Sequence, residues 1–108
     1  MSYEDKKQAA HRALVDRILN GKGRAAPDQR ASAFRNVDVP PPLQALIDKV
    51  VARPTQITDA DFVAAKSSGF SEDQLFELVV SAAVGQSARL YATGLAALAE
   101  AADSDEAG

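Results

Sequence analysis

The chain has no cysteine and no tryptophan, one histidine (His11), and aromatic residues at only 6%. Without cysteine there is no thiolate nucleophile, no disulfide framework and no sulfur ligand for zinc or an iron–sulfur cluster, so thiol redox chemistry is excluded. A reducing, cytoplasmic setting is expected. A metal site around His11 would need partners such as Glu4 or Asp16, and none stands at a specific ligand spacing. A nucleophilic serine needs a histidine base or its equivalent, and no GxSxG turn is present. Gly21 and Gly23 lack the preceding strand and following helix start of a phosphate loop. No cofactor and no metal are therefore expected. The charged opening, residues 1–7, is not followed by an apolar run of signal-peptide length. The longest apolar stretch, residues 75–84, is broken by Glu77 and Ser81 and falls short of the roughly 20 residues that cross a bilayer. Neither export nor a membrane span is expected.

What is present is a chain of 108 residues, 46% apolar, enough for a single core. One all-α domain over residues 1–101 is expected, followed by an acidic, flexible tail over 102–108. The net charge of -3 conceals a split: residues 1–35 carry eight Lys/Arg against four Asp/Glu, the remainder four against eleven. A basic part can be a nucleic-acid footprint, but an acidic whole is repelled by phosphate and no aromatic run is interleaved for base stacking. The reading preferred is that the basic part packs on acidic surface, in the same or a neighbouring subunit.

Helix signals dominate. Residues 3–20 read as a helix capped by Ser2, with Leu14, Val15, Ile18 and Leu19 as its apolar stripe and Gly21 as its stop. Residues 21–42 read as a connection containing at most a short helical turn from Pro27 to Phe34. From Pro41 or Pro42, the spacing of Leu43, Leu46, Ile47, Val50 and Val51 predicts a helix buried along one side and ended by Pro54. Thr58 with Asp61, and Ser71 with Gln74, form two capping boxes; Ile57 with Phe62, and Phe70 with Leu75, form their hydrophobic staples. Gly69 between them supplies a left-handed stop. A last helix from Glu72 to about Ala101 takes Phe76, Val80, Ala83, Leu90, Tyr91 and Leu98 as its main apolar face. At roughly 45 Å it exceeds the diameter of about 35 Å of a compact domain of this size, so it must bend, break or lie against another chain, with Gly85 the expected bend. No segment alternates with period two, and neither a repeat nor a coiled-coil heptad run is present. The architecture expected is a small all-α bundle of four to six helices with a long or bent C-terminal helix.

Glu77, Asp61, Arg89 and His11 are the candidates for chemistry. Glu77, Gln86 and Arg89 are polar residues inside the most apolar stretch. Leu75, Val79, Ala82, Gln86, Arg89 and Thr93 share one helix side, which could line a pocket or a subunit interface with Arg89 holding a carboxylate. Asp61 at the third helical position is explained by capping before catalysis, and His11 by a surface or half-buried helix position. The small-residue surface of Ser81, Ala82, Gly85 and Ala88, with Gln86 and Arg89 beside it, is the expected oligomer interface.

The stretch Ile57-Thr58-Asp59-Ala60-Asp61-Phe62, followed by Gly69-Phe70-Ser71-Glu72 and then Leu75-Phe76-Glu77-Leu78-Val79-Val80-Ser81-Ala82-Ala83-Val84, resembles the carboxymuconolactone decarboxylase family, including alkylhydroperoxidase-D-like proteins. The likeness covers about residues 40–100: a helix, an "aGls"-type turn, an "elv" phrase and an alanine-rich helix. It implies the alkylhydroperoxidase-D-like all-α fold, assembled as a homo-oligomer, a trimer or hexamer above all. The family's redox members carry CxxCxxxH before the turn; counted back from Gly69, those places hold Pro54, Ile57 and Asp61, so peroxide reduction by that route is excluded. The resemblance thus implies a non-redox member acting as an oligomeric accessory, assembly or small-ligand-binding protein, with a protein partner or a small anionic ligand. The alternative is a small lyase of the decarboxylase branch, with Glu77 or Asp61 as acid/base and Arg89 holding the anion. A nucleic-acid module using the basic N-terminal part is a third reading.

Overall fold

A computed structural model describes the backbone of residues 2–107 and their side chains apart from Glu4 and 104–107. Among the described residues five α-helices follow one another: α1 (Tyr3–Asn20), α2 (Pro27–Arg35), α3 (Pro41–Ala52), α4 (Asp59–Lys66) and α5 (Glu72–Ala107), with a 3-10 turn, Pro54–Gln56, between α3 and α4. No strand occurs among the described residues. The chain is a small all-α bundle with a long C-terminal helix.

The local signals act where the sequence places them. Ser2 Oγ accepts from the Asp5 N–H at 3.2 Å and starts α1. At the start of α5 the capping box is reciprocal: the Ser71 N–H donates to Gln74 Oε1 at 2.9 Å and the Gln74 N–H to Ser71 Oγ at 3.1 Å. At α4 the Thr58 N–H and hydroxyl both donate to Asp61 Oδ2, so the carboxylate carries the cap. Gly69, at φ +103, makes the left-handed turn between α4 and α5 that a side chain would strain.

Three expectations are corrected, the first two of them where α2 meets α5. Residues 27–35 are not mere connection: α2 is a helix of nine residues lying against α5, with Ala33 only 1% exposed. A Cβ on Gly85 would stand 1.9 Å from the Phe34 carbonyl oxygen, so this glycine exists to let the end of α2 touch the backbone of α5. It is not a bend, because α5 is helical without interruption through Gly85. Its 36 residues rise about 54 Å, which matches the molecule's longest dimension in 56 × 28 × 22 Å. The radius of gyration, 16.7 Å, accordingly exceeds the roughly 13 Å of a compact chain of this length.

The third correction concerns which side of α5 is inside. Leu75, Leu78 and Ala82 are at most 1% exposed, meeting Leu43, Leu46 and Ile47 of α3 and Ala65 of α4 in one core. The face expected to be the main apolar one is turned outward apart from half-buried Val80, with Phe76 70%, Leu90 63% and Leu98 68% exposed. The reason is steric: α2 and α3 approach closely where α5 carries Ala82 and Gly85, and the larger residues on the opposite side are left over.

Candidate functional site

Each titratable candidate is already engaged by the fold. Glu77 leaves α5 toward the α1–α2 loop, where its carboxylate accepts from the Arg24 N–H at 2.7 Å and from the Ala25 N–H. These donors lie just before α2, where a negative charge also suits the helix dipole. Burial pushes the Glu77 pKa up, but the two backbone N–H bonds and the nearby Arg30 and Arg24 charges outweigh it and hold the carboxyl below its ordinary value. Asp61 accepts from Lys49 Nζ at 2.9 Å as well as from Thr58. The Lys49 bond first, then the Thr58 N–H, lower its pKa. Arg89 donates from Nη1 to the Phe34 carbonyl at 2.7 Å, and from Nη2 to Gln86 Oε1 at 3.1 Å. It thereby binds a last-turn carbonyl of α2, a group with no partner inside its own helix. The His11 ring lies against Tyr91 with centroids 4.9 Å apart, setting α1 antiparallel to α5.

These four residues do not converge. Two hollows flank Phe76. One, of about 160 Å³ between α1 and α5, is lined by Arg17, Lys22, Arg30, Phe76, Glu77 and Val80 among others. The other, of about 550 Å³ between α4 and α5, is lined by Phe62, Val63, Phe76 and Val79 with a charged rim of Asp59, Asp73 and the Lys66–Glu72 ion pair. Neither contains Arg89, so in neither does a carboxylate face the proposed anion holder. No group of three His, Asp or Glu residues with metal-holding geometry occurs among the described residues.

The expected interface splits in the same way. Ser81 and Ala82 are 1% and 0% exposed, and Gly85 is buried under α2. Gln86 and Ala88 are half-buried, and Arg89 is exposed but tied to Phe34. The small-residue surface is therefore used within the chain.

Two features were not singled out in the sequence. Arg30 is only 5% exposed; its Nη1 donates to the Ile18 carbonyl at 3.0 Å, and its Nε has no hydrogen-bond partner. The other is the second half of α5. Residues 90–99, Leu-Tyr-Ala-Thr-Gly-Leu-Ala-Ala-Leu-Ala, hold no charge, yet every one is exposed. Their lack of charge was the available signal, because a helix that is apolar all round belongs in an interior. No helix among the described residues is long and apolar enough to cross a membrane.

No protein-family model, no curated protein and no solved structure matches the chain.

Proposed function

We propose that this chain is a non-redox, cysteine-free assembly protein of the cytoplasm, of the carboxymuconolactone decarboxylase-like kind that its residues 40–100 resemble, and that it works as a homo-oligomer built through α5. The observation that carries the reading is the uncharged, exposed run at residues 90–99. Leu90 and Leu98 are each more than 60% exposed, and large apolar residues left bare together on a charge-free helix are what an interaction surface offers.

The lyase reading has less support, because Glu77 and Asp61 spend their oxygens on backbone and Lys49 contacts and Arg89 spends its donors on Phe34 and Gln86. The nucleic-acid reading has less as well: Lys6 and Arg17 share one side of α1 while Arg12 lies on another, and Arg30 is buried.

The test is light scattering and native mass spectrometry of the parent beside a Leu90→Lys, Leu98→Lys double variant. The parent should give a multiple of one chain's mass at micromolar concentration. The variant should be monomeric with an unchanged far-ultraviolet spectrum, since both positions are exposed. A monomeric parent would overturn the proposal.

A further inference from the structure

Arg30 of α2 is a charge that the fold buries without neutralising. It is 5% exposed and belongs to neither of the ion pairs among the described residues, Lys49 with Asp61 and Lys66 with Glu72. Its Nη1 donates to the neutral Ile18 carbonyl at 3.0 Å, and its Nε donates to nothing. A guanidinium in that condition is costly, because water no longer solvates the charge and no anion replaces the water. Glu77 is near enough for its carboxylate to sense the Arg30 charge, but its oxygens accept from the Arg24 and Ala25 N–H groups. Gly23 permits that arrangement: a Cβ there would stand 2.6 Å from Glu77 Oε1. The carboxylate is thus committed to the backbone of the α1–α2 loop and leaves the guanidinium without a direct counter-ion.

Arg30 lines the hollow of about 160 Å³ between α1 and α5, together with Arg17 and Lys22. Those two are exposed and form its rim, whereas the buried Arg30 lies at its floor. Three cations against the single carboxylate of Glu77 leave the lining with an excess of positive charge. The cations come from α1, α2 and the loop between them. The opposite wall belongs to α5, which contributes the apolar side chains of Phe76 and Val80 beside Glu77.

We infer that this hollow binds a small organic monocarboxylate, with the carboxylate against Arg17, Lys22 and Arg30 and the apolar body against Phe76 and Val80. Arg30 attracts the ligand by a charge that water does not screen, and the exposed Arg17 and Lys22 supply N–H donors to its oxygens. The volume limits the body to about one ring, since a cavity of roughly 150 Å³ takes a single benzene. The ionised Glu77 on the α5 wall disfavours a second negative charge on the ligand, so a carboxylate suits the site better than a phosphate. Neither Arg89 nor residues 90–99 take part, and the site is complete within one chain.

The probe is benzoate, titrated into the isotope-labelled full chain and followed by heteronuclear NMR, beside its neutral counterpart benzamide and inorganic phosphate. Benzoate should move the Arg30 Nε–H signal and the Phe76 and Val80 amides along one saturable curve. Benzamide and phosphate should each bind at least about tenfold more weakly. Absence of a saturable shift at those residues would overturn the site. Equal affinity for benzamide, or for phosphate, would overturn the assignment of a monocarboxylate.

A second arm separates the site from net charge. Arg17→Gln with Lys22→Gln should weaken benzoate binding about tenfold at low salt. Both positions are exposed, so circular dichroism should report an unchanged fold. Lys6→Gln with Arg12→Gln removes the same charge from exposed positions of α1 outside the hollow, and should leave the affinity within about twofold. Equal weakening by the two pairs would overturn the proposal. The Leu90→Lys, Leu98→Lys chain should bind benzoate as the parent does, which keeps this result distinct from the test of assembly. Loss of binding in that chain would overturn a site contained in one chain.

Discussion

Residues 72–88 and 89–103 of α5 are both rich in alanine and leucine, and each stretch carries a mid-helix glycine, yet their surroundings are opposite. In the first, α1 to α4 close around the helix and Leu75, Leu78 and Ala82 are at most 1% exposed. In the second every residue is exposed. Hydrophobicity along the chain does not distinguish them. What does is reach: α2 to α4 cover only one end of the helix, and along the other end α1 alone continues beside it, as the His11–Tyr91 contact shows. The same residue type consequently carries a different meaning at each end. Gly85 is a contact, and Gly94, with nothing within 4 Å of where its Cβ would be, is a gap in the chain's own packing.

The sharpest way to break this comparison is Gly85→Leu. The new side chain would have to displace the Phe34 backbone, and overpacking of this severity should cost about 3 kcal/mol or more. Thermal melts should show the loss in dilute protein, where assembly does not contribute. An unchanged melting temperature would mean that α2 does not press on α5 there. Glu77→Ala is next. It leaves the Arg24 and Ala25 N–H groups without their acceptor, and Ala25 is 2% exposed, so a loss of about 1–3 kcal/mol is expected.

The same carboxylate gives a pH signature. Its folded pKa lies below its ordinary 4.5, so the stability it contributes is fully present above pH 4.5 and is lost as pH falls through the lowered value. The parent should melt at falling temperature on acidification, and Glu77→Gln should flatten that dependence. Equal slopes for the two proteins would show that the capping contact is not what titrates.

Gly94→Ala should act in the opposite sense to Gly85→Leu. In the monomeric Leu90→Lys, Leu98→Lys background it should stabilise by up to about 1 kcal/mol, the ordinary gain of alanine over glycine in a helix. Destabilisation there would mean that some part of the chain does cover position 94. The smallest effect is expected of Arg89→Ala. Its guanidinium is exposed and holds one last-turn carbonyl of α2, a contact of about 0.3–1 kcal/mol that should weaken further in high salt.

Much of the architecture was legible because the signals that start and stop helices are local. Ser2, Thr58 with Asp61, Ser71 with Gln74, and Gly69 act on backbone groups within a few residues, and Pro41, Pro42 and Pro54 constrain their own φ angles. The candidate site was legible only as a set of residue types. Glu77 reads as a carboxylate among apolar residues; that it caps a loop 52 residues earlier depends on where α1 turns into α2. Arg89 reads as an anion holder, and its partner proves to be a backbone carbonyl 55 residues away.

The sequence by itself determined that the chain is helical, where most of its helices begin and end, that α5 is too long for a compact domain, and that thiol chemistry is absent. Each of these follows from short-range sterics, hydrogen bonding or plain composition. The tertiary structure alone decided that α2 belongs to the core, that the small face of α5 is buried while its large apolar face is bare, and that the four candidate residues are kept apart. Those outcomes depend on which helix backbones can approach most closely. At Gly85 that approach is set by the absence of one Cβ atom, and no periodicity along a single helix records what lies across from it.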